Sequence, residues 1–275
     1  RLAEGEPAAM KIFISADIEG TAGIAHWDEA ERTHPDWAEF RALMTAEVVA
    51  ACEGARAAGA TEVVIKDAHD SGRNLILDRL PEYARIVRGW SGHPDAMMFG
   101  LDAGFVAAIY TGYHSKAGSE ANPLAHTSNL RISRLLLNGE VASEFTVNAL
   151  CAAGYGVPSV FLSGDAGICA EARVMVPGLA AVETLEGTGN ATTSISSARS
   201  CRLIREGVAA ALSGDFSGAL PERAARYEVV IEFNNPTGAY RAAWYPGAKA
   251  HGPRAVAFAD ADFAEILRAL VFLKV

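Results

Sequence analysis

The chain has 275 residues and a formal net charge of −9, with an isoelectric point near 5.3. This length accommodates one large α/β domain, or one domain with a small appendage. Nucleic acid and anionic membrane surfaces are bound by basic faces, so an acidic chain is expected to have neither as its partner. The apolar runs, such as VVIKDA, are too short to cross a bilayer.

The beginning of the chain and its cysteines indicate a cytoplasmic protein. RLAEGEPAAM has early acidic residues and no apolar core, which argues against a secretory signal. Met10 directly precedes a strand-like run, so residues 1–9 are interpreted as an N-terminal extension or a remnant of cloning, without function. The four cysteines are widely separated and form no C-x-x-C pair, which is typical of a reduced compartment.

The first half of the chain predicts a βαβ unit. KIFISADI (11–18) is an apolar, β-rich run, and apolar residues between positions 40 and 55 recur at three- and four-residue steps, as on one helix face. Gly59 is predicted to end that helix, and EVVIKDA (62–68) is predicted to be the next strand. Such a crossover makes the two strands parallel. Further strands are predicted at 84–89 and 106–114.

The second half continues the alternation after a hairpin, which Asn138-Gly139 predicts between two β-rich arms. Strands are predicted at 159–165, 228–234 and 254–260, and helices at about 143–154, 169–176, 194–213 and 262–272. This order predicts an α/β fold with a mainly parallel open sheet flanked by helices. Residues 10–275 are interpreted as a single domain, in which the loose stretch 234–253 is a loop or part of a small C-terminal subdomain over about 221–260.

Polar side chains follow three of the predicted strands. Asp17 and Glu19 follow the first strand, His69 follows the second, and His114 follows the fourth. Ligands bind beyond the carboxyl ends of the strands in an open parallel sheet, so these groups are expected at one edge. Two carboxylates so close together repel each other unless a cation or a shared proton neutralises them. Mixed carboxylate and imidazole ligands suit zinc, with manganese or cobalt as chemically similar substitutes.

Each of these residues also has an ordinary structural interpretation. Asp17 and Glu19 fit helix capping or turn chemistry just past a strand, and either histidine alone fits a hydrogen-bonded structural role. The four together at strand ends favour a metal site. Asp165, at the end of another predicted strand, fits either an N-cap or a contact to the substrate or to a ligand.

Several blocks of the chain resemble the DppA-type D-aminopeptidase family of zinc metallopeptidases. The blocks occur in the family's order between Met10 and the C-terminus, and their combination is highly specific although each alone is weak. They are SADIEG (15–20), KDAHDSGRNL (66–75), YTGYHSKAG (110–118), PLAHTSN (123–129), NGEVASEFTVNA (138–149) and IEFNNPTGAYRAAWYPG (231–247).

The resemblance implies a site with two zinc ions. Its ligands fall on Asp17, Glu19, His69, His114 and Glu144, the last of which spacing alone does not single out. Glu140 lies close to Glu144, but it follows the hairpin turn and is expected to face solvent. The resemblance also implies a catalytic histidine, which falls on His126.

For the remaining polar residues around these blocks we expect supporting or surface roles. Asp67, Asp70 or Asn74 are expected to accept from a metal-bound imidazole. The histidines outside the family's blocks are interpreted as surface or supporting groups; they are His26, His34, His93 and His251.

The activity that the resemblance implies is removal of the N-terminal residue from short peptides, with a preference for D-residues such as D-Ala-D-Ala. A water activated by the metal ions is expected to attack the peptide carbonyl, assisted by His126, with Asp17 bridging the ions. The resemblance also implies a homo-oligomer, a ring-shaped decamer.

Three alternatives remain open. A dinuclear hydrolase of another amide, an L-peptide or a phosphoester needs a similar ligand set, although no Gly-rich phosphate loop is present. A non-catalytic peptide- or metal-binding protein fits the same scaffold. A nucleotide-binding domain is disfavoured because GTAGIAHW lacks the G-x-G-x-x-G fingerprint.

Overall fold

The computed structural model describes residues 10–274, so the interpretation of residues 1–9 lies outside the described part of the chain. The strands are β1 (Lys11–Ala16), β2 (Glu62–Asp67), β3 (Ala84–Val87), β4 (Ala107–Tyr113), β5 (Ile132–Leu137), β6 (Glu140–Val141), β7 (Ser159–Asp165), β8 (Ala180–Thr188), β9 (Ala191–Ser194), β10 (Tyr227–Phe233), β11 (Lys249–Ala250) and β12 (Ala255–Asp260). The helices are α1 (Trp37–Ala57), α2 (Glu144–Gly154), α3 (Ala166–Met175), α4 (Ser197–Ser213), α5 (Pro236–Ala242) and α6 (Phe263–Leu273). Short 3-10 helices cover Trp27–Glu29, Leu77–Arg79 and Ala96–Met98.

The larger of two sheets has seven strands in the order β3-β2-β1-β4-β7-β8-β9. Its pairs are parallel except for β8 with β9. The central strands β1, β2, β4 and β7 are almost wholly buried, as expected for strands that are covered on both faces. The predicted mainly parallel sheet flanked by helices is therefore confirmed.

Helices cover this sheet on both sides. In a right-handed βαβ crossover, the direction in which the chain moves along the sheet decides which face its helix covers. The chain moves from β1 to β2 in one direction and from β4 to β7 and β8 in the other, which places α1 opposite α2 and α3. The contact between α1 and α4, and the contact between α2 and α3, agree with this division.

The smaller sheet is antiparallel and has the order β11-β12-β10-β5-β6. The predicted hairpin forms its edge, and Asn138 and Gly139 both have positive φ angles, as a two-residue hairpin turn requires. The strands predicted at 228–234 and 254–260 exist as β10 and β12, but they belong to this antiparallel sheet rather than to the parallel one. Strand β10 pairs with β5 of the hairpin, and β12 pairs with β10. Helix α6 contacts α2 as well as β10 and β12, and so links the two sheets.

The predicted elements agree with the structure within a few residues at each end. The sequence pattern did not predict β8 and β9. It also did not predict the small α5 and β11, both of which lie in the stretch 234–253 that was expected to be loose. Gly59 follows the end of α1 with a φ of 100°. Across residues 10–274, none of the helices combines the length and the apolar character that a membrane crossing requires.

Candidate active site

The candidate site lies at the carboxyl ends of β1, β2 and β4. Strand β1 is paired with β2 on one side and with β4 on the other, and the strand order reverses there. Such a reversal opens a crevice at the strand ends in open α/β sheets. Because Ala16 is aligned with Asp67 and with Thr111, the residues that follow these three strands emerge side by side.

The backbones of the segments after β1 and β4 are in direct contact. The Asp17 amide donates to the Thr111 carbonyl at 2.8 Å, and the Gly20 amide donates to the Gly112 carbonyl at 2.8 Å. A Cβ atom on Gly112, whose φ is 68°, would lie 2.2 Å from the Asp17 carbonyl oxygen. Glycine at position 112 therefore permits the close approach that brings Asp17 towards His114.

Asp17, Glu19 and His69 form the first group of possible ligands. His69 Nδ1 lies 3.2 Å from Asp17 Oδ1 and 3.1 Å from Glu19 Oε1. All three side chains are buried. They offer atoms that lie within 4.8 Å of one another, a spacing that suits a shared cation.

A second group shares Asp17 with the first. His114 Nε2 lies 3.7 Å from Asp17 Oδ2 and 3.6 Å from Glu144 Oε2. These three residues also offer atoms that lie within 4.8 Å of one another. Asp17 thus presents one oxygen to each group. Two ions would have to share this carboxylate.

Glu144 reaches the site from the other side. It is the first residue of α2, whose N-cap Ser143 accepts from the Thr146 amide. Its Oε1 accepts from the Ser128 amide at 2.7 Å. Glu140 lies in β6 and is exposed to solvent, as expected.

His126 lies at the edge of both groups. Its Nε2 is 3.6 Å from Glu144 Oε1 and 4.0 Å from Glu19 Oε1. The ring is stacked on His114 with centroids 4.3 Å apart, and the Trp27 ring contacts it edge-on at 5.1 Å. His126 also fits a third possible ligand group with Glu19 and His114. Its side chain is 12% exposed, more than the other histidines of the site.

The charges of the site act differently on the three imidazoles. Burial acts to lower the pKa of both His69 and His114. The negative charge of Glu19 beside His69, and that of Glu144 beside His114, outweighs burial and raises each pKa well above its usual value. Burial and the charge on His114 lower the pKa of His126. Of the three rings, His126 is therefore the one that most readily stays neutral.

The carboxylates divide in the same way. Burial raises the pKa of Asp17 well above its usual value, and the charge on Glu19 adds to this effect. Burial also acts to raise the pKa of Glu144, but the charges on His114 and His126 hold it at about 2. The buried acidic groups therefore require positive charge nearby, from protonated histidines or from cations.

Two buried atoms at the site lack a hydrogen-bond partner among the described residues: Glu19 Oε2 and His114 Nε2. Burying a polar atom without a partner is costly, so such atoms indicate a missing ligand. A carboxylate oxygen and an imidazole nitrogen are both donor atoms that zinc accepts. The residues present therefore fit divalent metal ions.

The contacts that orient the imidazoles differ in part from expectation. His69 Nε2 lies 2.9 Å from the Ala30 carbonyl, rather than against Asp67, Asp70 or Asn74. Asp67 and Asn74 instead hold the backbone: Asp67 accepts from the Asn74 and Leu75 amides, and Asn74 Nδ2 donates to the His69 carbonyl at 2.7 Å. His114 Nδ1 lies 3.0 Å from the Ser115 carbonyl.

Asp165 acts as an N-cap and also supports the site. It accepts from the Ile168 amide at the start of α3, from the Ser115 amide at 2.6 Å, and from Asn122 Nδ2 at 3.0 Å. Asn122 Nδ2 also donates to the Glu19 carbonyl at 2.9 Å. Asp165 thus fixes the segments next to His114 and Glu19 without reaching the cavity itself.

The remaining histidines lie outside the two ligand groups. His26 caps the 3-10 helix Trp27–Glu29, His34 Nδ1 lies 3.3 Å from Asp28, and His251 is exposed. His93 lines the cavity rim and accepts from the Asp95 amide at 3.2 Å.

A cavity of about 500 Å³ opens over the candidate ligands. Asp17, Glu19, His69, His126 and Glu144 line its floor, whereas Trp27, Trp90, Ser128, Leu130, Val271 and Lys274 contribute to its walls. Sequence reasoning missed these wall residues. Ser128 lies in the PLAHTSN block and has a φ of 67°, but no pattern indicated Lys274.

Comparisons with known proteins show which family the chain is similar to. The chain is 27% identical over 266 residues to the D-aminopeptidase of Bacillus subtilis (strain 168), covering 96% of each sequence. Its structure is similar to a solved structure described as the Zn-dependent D-aminopeptidase DppA from Bacillus subtilis, a self-compartmentalizing protease. The TM-score is 0.90 and the sequence identity is 27%, and the match covers 96% of this chain and 97% of that one. A model of the D-aminopeptidase family matches residues 10–272, and the chain therefore belongs to the D-aminopeptidase family of peptidases.

Proposed function

We propose that this enzyme is a dinuclear zinc aminopeptidase, with Asp17, Glu19 and His69 holding one ion and Asp17, His114 and Glu144 holding the other. The observation that carries the proposal is that two possible ligand groups share one carboxylate, Asp17. Similarity to a protein described as Zn-dependent supports zinc. Manganese or cobalt are expected as substitutes because they accept the same mixed ligands.

When bound, zinc supplies a Lewis acid that lowers the pKa of a water molecule and polarises a carbonyl group. The chain's own contribution is to fix the ligands and to move a proton. The His126 Nε2 atom faces Glu144 Oε1 and Glu19 Oε1, and its Nδ1 atom lies 3.0 Å from the Leu124 carbonyl. A neutral ring that donates from Nδ1 to this carbonyl leaves Nε2 free to accept a proton. Once protonated, Nε2 can stabilise a developing oxyanion or pass the proton to the leaving amine.

The proposed substrates are short peptides with a free N-terminus, in particular D-amino-acid peptides such as D-Ala-D-Ala. A cavity of about 500 Å³ lies within the range typical of small-molecule sites. The acidic floor of the cavity favours a free α-amino group over an acylated one. Family membership supports the D-configuration.

We also propose a cytoplasmic homo-oligomer, in the form of a ring-shaped decamer. The description of the similar structure as a self-compartmentalizing protease supports an assembly that encloses its active sites. Exposed Tyr240 and Trp244 on and beside α5 offer apolar surface for such contacts. Cys52, Cys151 and Cys169 are free and buried, which suits a reducing compartment.

The test combines metal analysis with peptide turnover. The purified protein is expected to contain two zinc ions per chain and to release D-alanine from D-Ala-D-Ala, and chelation is expected to abolish this activity until zinc is restored. Preference for L-Ala-L-Ala, or turnover of p-nitrophenyl phosphate instead of peptide, would contradict the proposed substrate.

Two variants separate the metal ligands from the proposed proton carrier. Asp17→Ala removes the shared carboxylate and is expected to lose both zinc ions. His126→Ala is expected to retain both ions but to lose about 100-fold or more in kcat, the usual range for a lost acid–base group. A His251→Ala variant, whose histidine is exposed, serves as the control. If His126→Ala turned over D-Ala-D-Ala at close to the normal rate, the role given to His126 would be wrong.

A further inference from the structure

A lysine reaches the cavity from the C-terminal end of α6. Among the described residues that line the cavity, Lys274 is the only lysine or arginine, whereas the acidic residues include Glu31 and Asp70 in addition to the candidate ligands. The part of the cavity beside Lys274 thus differs in charge from the rest. This lysine has no part in the proposed metal binding or in the role of His126.

Several hydrogen bonds fix the position of Lys274. Its carbonyl accepts from Asn129 Nδ2 at 3.0 Å, and its Nζ donates to Ser128 Oγ at 2.9 Å. The Ser128 amide in turn donates to Glu144 Oε1 at 2.7 Å. The ammonium group is therefore connected to a proposed metal ligand through a single residue.

Among residues 10–274, the ammonium group of Lys274 has one hydrogen-bond acceptor, Ser128. It carries three N–H donors, and Ser128 Oγ accepts from one of them. Burial lowers the pKa of Lys274, although the charge on Glu144 opposes this. Glu144 already faces His114 Nε2 and His126 Nε2, each at 3.6 Å. An anion entering the cavity would find donors at Lys274 that no other described residue accepts from.

Lys274 lies within the reach of a dipeptide from Glu144, because contacts of 2.7 Å and 2.9 Å on either side of Ser128 join the Glu144 carboxylate to the Lys274 ammonium group. Two extended residues span about 7 Å, so a dipeptide whose amino group and peptide bond lie over the candidate ligands has its carboxylate at the adjoining cavity wall. Next to Glu31 and Asp70, that carboxylate would be repelled. Next to Lys274 it would form a charge-assisted hydrogen bond.

We propose that Lys274 binds the C-terminal carboxylate of the substrate and so gives the enzyme its preference for dipeptides with a free carboxyl group. The proposal rests on the aminopeptidase function proposed above, because that function places the amino end of the peptide at the metal ligands. A peptide whose second residue ends in an amide lacks the negative charge, and a longer peptide places it elsewhere.

The test compares D-Ala-D-Ala with its C-terminal amide on the zinc-loaded enzyme. The normal enzyme is expected to cleave the free acid more efficiently. Lys274→Met is expected to lower kcat/KM for the free acid by about 10- to 100-fold, the range for losing a hydrogen bond to a charged group, and to change kcat/KM for the amide by less than about threefold. Lys274→Arg is expected to retain part of the preference. Lys249→Met, in exposed β11, is the matched control.

Binding provides a second measurement that does not depend on turnover. Calorimetry with the uncleavable reduced-amide analogue of D-Ala-D-Ala is expected to show tighter binding of its free acid than of its C-terminal amide, and Lys274→Met is expected to abolish this difference. If the variant fails to fold, equal binding of the two forms to the normal enzyme still refutes the proposal. Equal losses on both substrates would show that Lys274 acts through the fold. An enzyme that cleaves neither substrate would refute the proposed function itself.

Discussion

Glu47 is a buried carboxyl group that we expect to make stability fall as pH rises. It lies in α1, is 1% exposed, and accepts through Oε1 from the Ala22 amide at 3.0 Å and from Ser200 Oγ at 2.7 Å. Its other oxygen has no partner among the described residues. Burial raises the pKa of Glu47 from 4.5 to about 7, although the two hydrogen bonds oppose the rise.

The direction of the effect follows from proton binding. Between pH 4.5 and 7, the folded protein keeps a proton at Glu47 that the unfolded chain releases, so folding stability decreases across this window. At about 1.4 kcal/mol for each unit of pKa, the rise corresponds to roughly 3 kcal/mol lost by pH 8. Glu47→Gln keeps the accepting oxygen but has no charge, so it avoids this loss.

Urea unfolding at pH 5 and pH 8 measures the effect. The free energy of unfolding of Glu47→Gln minus that of the normal protein is expected to be small at pH 5 and to reach at most about 3 kcal/mol at pH 8. Taking the difference at each pH removes the titration of groups common to both proteins. Glu39→Gln, exposed on the same helix, is the control. The reasoning is refuted if Glu47→Gln is no more stable than the normal protein at pH 8, or if the difference is the same at both pH values.

Two further variants test the backbone and the support of the site. Gly112→Ala places a Cβ atom 2.2 Å from the Asp17 carbonyl oxygen, at a residue with a positive φ. We therefore expect urea unfolding to show a loss of about 2 kcal/mol or more in the free energy of unfolding, together with weaker zinc binding. Unchanged stability would contradict the close approach. Asp165→Ala removes the carboxylate that accepts from Ser115 and from Asn122. A competition assay with a zinc chelator is expected to show about 10- to 100-fold weaker zinc binding. Unchanged zinc affinity would show that Asp165 is only an N-cap.

The parallel sheet and the residues at its carboxyl edge could be predicted because their signals are local. Strands β1 and β2 each contain a short apolar core, and Asp17 and Glu19 follow the first strand and His69 the second within three residues. The pairing of strands fixes where such residues emerge, so Asp17, His69 and His114 could be expected together before any family was considered. Their roles as zinc ligands remain predictions.

Other parts of the site could not be predicted in this way because their partners are distant in sequence. Glu144 begins a helix, and its position depends on Ser128 and on the packing of α2. The position of Lys274 depends on how α6 packs against the rest of the protein, and no motif in the sequence around it indicates a functional role. The second sheet was missed because an apolar strand pattern indicates burial without identifying the strand's partner, and the hairpin gave no sign that it would pair with β10.

The parallel sheet supplies Asp17, Glu19, His69 and His114, whereas Glu144 and Lys274 come from α2 and the end of α6 on the other side of the cavity. This division leaves four of the five proposed metal ligands on the sheet and places the proposed contact to the substrate's carboxylate at the end of α6. Substitutions around α6 can reshape the far wall while the strand-end ligands stay in place. Under the proposed function, related chains with this fold could therefore change their peptide preference while the strand-end carboxylates and imidazoles stay the same.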